Sequence, residues 1–144
     1  MTTSGYSGTP LVKKLGIRTG SRIAVIGAPE GFLAETLGLL PDGASVALRC
    51  VAGRDVIVLF APTRAEFERR FDGARRALTP AGGLWIAWPK RASRVETDMT
   101  EDVVREVALP TGMVDNKVCA IDETWSGLRL VLRRELRASG PTVK

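Results

Sequence analysis

Apolar positions follow two periods along this chain, and the changes between them mark the elements. Residues 21–27, SRIAVIG, form a continuous β-branched run, as in a strand buried on both faces. The same pattern returns in residues 55–60, DVIVLF, and 84–88, LWIAW. Between those two runs the period changes to that of a helix. Phe67, Phe71, Ala74 and Leu78 fall on one face, behind a capping box formed by Thr63 and Glu66 in T-R-A-E. Pro80 and Gly82-Gly83 then predict a turn back into the sheet.

The remaining segments extend this alternation. Thr9 and Pro10 predict a short helix, with Thr9 as N-cap and Pro10 at the first position, ending at Gly16. After the loop Ala28, Pro29, Glu30, Gly31, a helix is expected through Leu40 with Phe32, Leu33 and Leu37 inward. Pro41, Asp42 and Gly43 signal a turn before a second strand over residues 45–50. Thr100 caps a further helix, with Glu101 and Asp102 at its positive end and Val103, Val104, Val107 and Ala108 inward. Pro110 and Gly112 stop it. A strand follows over residues 117–122, then a turn at 123–127. Leu128, Leu130 and Leu132 next alternate with Arg129, Val131 and Arg133, as in a half-exposed strand.

Strand–helix–strand repeats imply parallel crossovers with helices on both sheet faces. The short last turn implies an antiparallel hairpin. The expected fold is thus α/β, a mostly parallel sheet closed by an antiparallel hairpin. A single domain is expected over residues 9–136, flanked by an arm (1–8) and a tail (137–144).

The 144 residues, 44% hydrophobic and 26% charged, suit one globular domain. No apolar run approaches the ~18 residues of a membrane span, and no signal-peptide pattern opens the chain, so a cytoplasmic protein is expected. Cys50 and Cys119 lack C-x-x-C spacing and read as reduced, packed thiols. Histidine is absent, which removes the commonest general base and metal ligand. Asp122 and Glu123 are adjacent and read as turn residues, so no metal site is expected. Ser7 and Ser126 have no histidine base, and Cys119 sits in an apolar strand where a thiol is inert. The net charge of +5 favours anionic partners. However, Arg69, Arg70, Arg75 and Arg76 interleave with Glu66, Glu68 and Asp72, the pattern of a solvated face.

Two resemblances follow from motifs. L-T-P-A-G-G-L-W-I at residues 78–86, with the terminal hairpin, resembles class I S-adenosylmethionine-dependent methyltransferases over the second half of the chain. That implies a Rossmann-like, methyltransferase-like sheet. A second resemblance spans nearly the whole chain, to a family of small uncharacterised bacterial proteins common in actinobacteria. It rests on GYSGTPL (5–11), KKLGI (13–17), APEG (28–31), WPK (88–90) and DNKVCAIDETWSGL (115–128). Two departures from the methyltransferase pattern stand out. The expected G-x-G-x-G loop is replaced by Gly27-Ala28-Pro29-Glu30-Gly31, where Pro29 removes an N–H. The acidic residue expected at the end of the second strand, which would hold ribose hydroxyls, is absent from Val46-Ala47-Leu48-Arg49-Cys50. The next helix and strand are missing. S-adenosylmethionine is therefore disfavoured as a cofactor.

Ligands of open α/β sheets lie beyond the carboxyl ends of the strands, where strand order reverses. Here that point is expected between the strands ending at Gly27 and Phe60. Its lining would be Ala28, Pro29, Glu30 and Gly31, with Thr63 and Arg64 opposite and Trp88 and Lys90 one strand over. Helix N-termini at Glu30 and Thr63 would suit a small anionic ligand. A plain tight turn explains Pro29, Glu30 and Gly31 equally well, and Trp88 alone reads first as core. The arm could fold over the cleft and present Tyr6, Lys13 and Lys14.

The sequence thus points to a non-catalytic binding or regulatory module, taking a small anionic ligand or a protein partner. The alternative is a divergent methyltransferase or other small-molecule enzyme with Glu30 or Asp122 as base. A nucleic-acid binder, using the arginine-rich helix and Arg129, Arg133, Arg134 and Arg137, ranks third.

Overall fold

The computed structural model describes residues 9–138. The expected arm (1–8), with Tyr6 and Ser7, and residues 139–144 of the expected tail lie outside the described residues. The elements run in the order α1 (Leu11–Leu15), β1 (Arg22–Ile26), a π-helical turn (Phe32–Leu37), β2 (Ser45–Ala47), β3 (Arg54–Phe60), α2 (Arg64–Ala77), β4 (Leu78–Pro89), α3 (Glu101–Ala108), β5 (Met113–Ala120), β6 (Trp125–Leu132) and α4 (Arg134–Ala138). Among the described residues, no helix is long and apolar enough to cross a membrane.

The six strands form one sheet in the order β2-β1-β3-β4-β6-β5. The first four are mutually parallel, and β6 lies antiparallel between β4 and β5. This is the expected α/β class. The apolar runs occupy the central strands because both faces there are covered. Ala24, Ile57, Leu59, Leu84 and Ile86 pack with Phe67, Phe71 and Ala74 of α2 and Val104 and Ala108 of α3. The alternate residues Ile23, Val25, Val58, Phe60 and Trp85 pack with Leu11 and Leu15 of α1 and with Phe32. Trp85 is fully buried, and its indole N–H donates to the carbonyl of Leu15 at 3.1 Å. That bond fixes α1 on the sheet and satisfies a polar group that would otherwise be costly to bury.

Both capped helices start where the sequence places them. The hydroxyl of Thr63 accepts from the Glu66 amide at 3.2 Å, and that of Thr100 from the Val103 amide at 3.1 Å. The Glu66 carboxylate is engaged with Arg69 and Arg70.

Several elements differ from expectation, each for a local reason. Pro10, not Thr9, is the residue flanking α1, which begins one position later. The helix expected through Leu40 is a six-residue π-helical turn that stops at Gly38, so Leu33 stays exposed. The second strand covers three residues instead of six. The turn expected at Pro80, Gly82 and Gly83 is part of β4. Arg54 pairs with Leu78 and Val56 with Gly83, so the intervening residues of β4 bulge out of register. The strand expected over 117–122 begins at Met113, so Asp115 and Lys117 lie within it instead of at one end. Finally, β6 is an inner strand, and Val131 is buried instead of facing solvent.

The β4 bulge makes Gly82 a packing requirement. A Cβ there would lie 2.7 Å from the Asp55 carbonyl oxygen, a backbone atom that cannot swing away. Gly82→Ala is expected to destabilise the protein by about 1–3 kcal/mol in urea unfolding. Gly73→Ala, on the exposed face of α2 with nothing within 4 Å of the added carbon, is expected to stabilise it by up to about 1 kcal/mol.

Candidate functional site

Strand β1 runs out at Gly27, which adopts φ 71°. A side chain there would press on the Phe60 carbonyl oxygen at 3.2 Å and the Arg70 Nη1 at 3.3 Å, so the two strand ends approach closely only with glycine. The chain then passes Ala28 and Pro29 to Gly31, also left-handed at φ 85°, and enters the π-helical turn. Beside this loop lies an open pocket of about 420 Å³, walled by Val25, Ala28, Pro29, Phe32, Leu33 and Leu48 among others. Among the described residues, no ionisable side chain lines it. The topology explains why it is open. β2 pairs with β1 only as far as Ala24, leaving Val25 and Ile26 paired on the β3 side alone.

Three of the expected residues, Ala28, Pro29 and Gly31, thus meet at one pocket, with Glu30 exposed at the loop surface. Thr63 and Arg64 do not join them. The Arg64 amide, at the start of α2, donates to the Asp98 carboxylate at 2.7 Å. The protein's own Asp98 and Thr63 therefore fill the anion-binding role of this helix end. The Arg64 guanidinium turns to Glu68 and Glu106, whose hydrogen bonds raise its pKa.

Trp88 and Lys90 belong to a different pocket of about 540 Å³, shared with Arg91, Arg94, Glu96 and Asp98. Trp88 packs in the core on the α2–α3 face, whereas Val25 and Phe32 belong to the opposite face. The Lys90 amide donates to the Thr124 carbonyl at 2.7 Å, which ties the end of β4 to the hairpin turn. Asp122 accepts from the amides of Thr124 (2.8 Å) and Trp125 (2.9 Å) through one carboxylate oxygen. It is a turn residue, and its position gives no support to a base role. Trp125 in turn stacks edge-on against Phe60 at 5.0 Å, and Phe60 against Phe32 at 4.9 Å. Such pairs contribute about 0.5–1.5 kcal/mol each beyond burial and stiffen the floor of the first pocket.

The arginine-rich helix behaves as its pattern suggests. Arg69 and Arg70 pair with Glu66, and Arg75 and Arg76 with Asp72, whose carboxyl the Arg75 hydrogen bond holds below its usual range. Sequence reasoning missed Asp98 as the partner of the α2 N-terminus and Leu48 as a pocket wall. Asp98 lies 34 residues from Arg64, a contact without local signal. Leu48 is 65% exposed, a large apolar residue just past a strand end.

With the geometry in hand, comparisons give a consistent answer about fold. A possible exported protein from Bordetella parapertussis superposes with a TM-score of 0.59 at 12% identity, over 84% of this chain and 64% of that one. A SAM-dependent methyltransferase from Aquifex aeolicus matches at TM-score 0.53 and 13% identity, over 83% and 86%. The ribosomal protein L11 methylase of Lactobacillus delbrueckii subsp. bulgaricus matches at 0.57 and 10%, over 86% and 75%. The chain thus has a methyltransferase-like Rossmann fold. It spans just under two thirds of the Bordetella protein. No protein-family model and no curated protein matches the sequence, so the narrower actinobacterial resemblance rests on its motifs alone.

The methyltransferase from Aquifex aeolicus is SAM-dependent, and that molecule carries ribose hydroxyls, an ammonium and a carboxylate; among the described residues the side chains that line this pocket are apolar and offer those groups no side-chain partner. The position after β2 offers Leu48, Arg49 and Cys50 in place of a carboxylate.

Cys50 is exposed as a residue, yet partial burial of its sulfur raises the thiol pKa, with Arg70 acting the other way. Cys119, half-buried, is raised by burial too, with Lys14 and Lys117 opposing. Both thiols stay protonated at neutral pH. Labelling with a disulfide reagent is expected to be slow at pH 7, to accelerate toward pH 9, and to reach Cys50 before Cys119. Rapid labelling of Cys119 at pH 7 would contradict this placement.

Proposed function

We propose that this chain is a non-catalytic binding module on a methyltransferase-like fold, using the pocket at Ala28, Pro29 and Gly31. One observation carries this reading. The pocket stands where strand order reverses, the usual ligand position, yet nothing ionisable lines it. Among the described residues its lining side chains include no acid, base or nucleophile, and the nearest charged groups, Glu35 and Arg70, lie at its edge beside Gly31 and Gly27, so proton transfer inside it finds no support. What it offers is apolar surface, and its rim adds Leu33 at 36% and Leu48 at 65% exposure. Leu39 and Val51 are exposed nearby in sequence, on the segments flanking β2. The occupant that suits this lining is an apolar group of a small ligand, or an apolar side chain of a protein partner. An anion finds less support here than the sequence suggested, because Thr63 and Asp98 already satisfy the α2 end and the first turn after Gly31 is only six residues long.

The reading is tested by thermal unfolding with S-adenosylmethionine and with its demethylated product. A ligand at about a hundredfold its Kd adds about 2.7 kcal/mol, enough to raise Tm by several degrees. No shift is expected at millimolar concentrations of either compound. A saturable rise that disappears in Gly31→Val would overturn the proposal in favour of a divergent methyltransferase.

A further inference from the structure

A second pocket lies at the other end of the sheet, on the face that carries α1. It measures about 440 Å³ and is lined by Lys13, Lys14, Arg18, Lys117 and Arg129, together with Leu15, Gly16 and Ile17. Five cationic side chains converge there, and among the described residues no acidic one lines it. The contrast with α2 is chemical. On α2 each arginine has a carboxylate within 3.4 Å. Around this pocket, Lys13, Arg18, Lys117 and Arg129 form no ion pair among the described residues.

The sheet builds this arrangement through a bulge. On β5, Asp115 pairs with Leu130 but Lys117 pairs with the very next β6 residue, Arg129, so Asn116 is extra. One inserted residue reverses which face the side chains take. Asp115 therefore points to α3, where it meets Arg105 at 3.2 Å, while Lys117 shares a face with Arg129. Without the bulge, Asp115 and Lys117 would lie on one side, and the carboxylate would stand beside the cations. Arg129 itself pairs across from Trp85, the residue that anchors α1. Its guanidinium lies over Gly83, in space that any side chain at that position would take. The Asn116 side-chain oxygen accepts from it at 3.5 Å, the limit of a hydrogen bond. Burial, with Arg137 and Arg18 nearby, lowers its pKa, the signature of a cation whose surroundings supply no counter-charge. Arg18 and Arg129 also line the adjoining cavity of about 330 Å³, whose one acid, Asp55, is held by the Arg22 amide at 2.8 Å.

We propose that this pocket binds the phosphate groups of an anionic ligand, with Lys13, Arg18, Lys117 and Arg129 as donors. The half-buried guanidinium supplies a planar pair of N–H groups, and the exposed ammonium groups supply mobile positive charge around it. Both suit phosphate oxygens better than an isolated carboxylate, because several charges are available at once. The pocket is separate from the apolar pocket beside Ala28, so each stands or falls independently.

Calorimetric titration at low salt tests this with two probes, inorganic tripolyphosphate and a short oligoribonucleotide. The variants are Arg129→Gln, Lys117→Gln and, as a control on the paired helix, Arg76→Gln. Saturable binding is expected, weakened about tenfold or more by Arg129→Gln, as for loss of a charged hydrogen-bond donor. Lys117 is exposed, so Lys117→Gln should also weaken binding while leaving the unfolding curve unchanged. Arg76→Gln should leave affinity unaltered. Tripolyphosphate binding as tightly as the oligonucleotide assigns the site to a soluble phosphate ester. Tighter oligonucleotide binding that falls steeply with salt assigns it to a nucleic-acid backbone. Absence of binding by either probe, or equal weakening by all three variants, overturns the proposal.

Discussion

The central strands β1, β3 and β4 are buried on both faces, and almost everything else in this protein follows from that constraint. Buried backbone groups must pair, so these strands sit inside one sheet with neighbours on each side and helical cover on both faces. Apolar residues must appear at consecutive positions, as in Val56, Ile57, Val58, Leu59 and Phe60, all at most 5% exposed. The two sets of alternating side chains then need two covers. On one face α2 and α3 supply it, and on the other α1 and the π-helical turn do so, locked by the Trp85–Leu15 hydrogen bond. Reversal of strand order between β1 and β3 follows from the same sheet and opens a gap where a ligand can sit.

How that gap is finished decides its chemistry. Six residues connect β2 to β3, too few for the helix that usually covers such a crossover. The edge beside Val25 and Ile26 is left open, and the walls that would position a polar ligand are not built. Leu33 and Leu48 remain at the rim, exposed large side chains that a complete fold would cover. Elsewhere along the strand ends, polar groups serve the structure: Asp98 binds the α2 N-terminus, Arg64 pairs with Glu68 and Glu106, and Asp122 holds the hairpin turn. The result is a methyltransferase-like frame with an open pocket whose lining side chains, among the described residues, are apolar.

The frame was legible in the sequence because its signals are local. Thr63 with Glu66, the Phe67 and Phe71 spacing, and the unbroken apolar strands specify elements within windows of a few residues. The errors lie where geometry depends on pairing. Pro80, Gly82 and Gly83 read as a turn, yet β3 draws them into β4 as a bulge. The strand expected over residues 117–122 begins at Met113, and the bulge at Asn116 sends Asp115 and Lys117 to opposite faces. Phe32, Leu33 and Leu37 read as one helical face, but a π-helical turn, with more residues per turn, stops at Gly38 and leaves Leu33 outside. The candidate site was half legible. Ala28, Pro29 and Gly31 do line a pocket at the strand switch, because topology alone places it there. Trp88 and Lys90 fall on the other face, since odd and even positions of neighbouring strands separate in a way that sequence distance does not reveal.

The central claim is that the strand-switch pocket accepts an apolar group and not a methyl donor. Amide chemical shifts read this directly, at Gly27, Ala28 and Gly31, while S-adenosylmethionine is titrated into the protein. The account predicts that these amides stay where they are up to millimolar concentration. Saturable movement confined to these three residues and their β3 neighbours would contradict it.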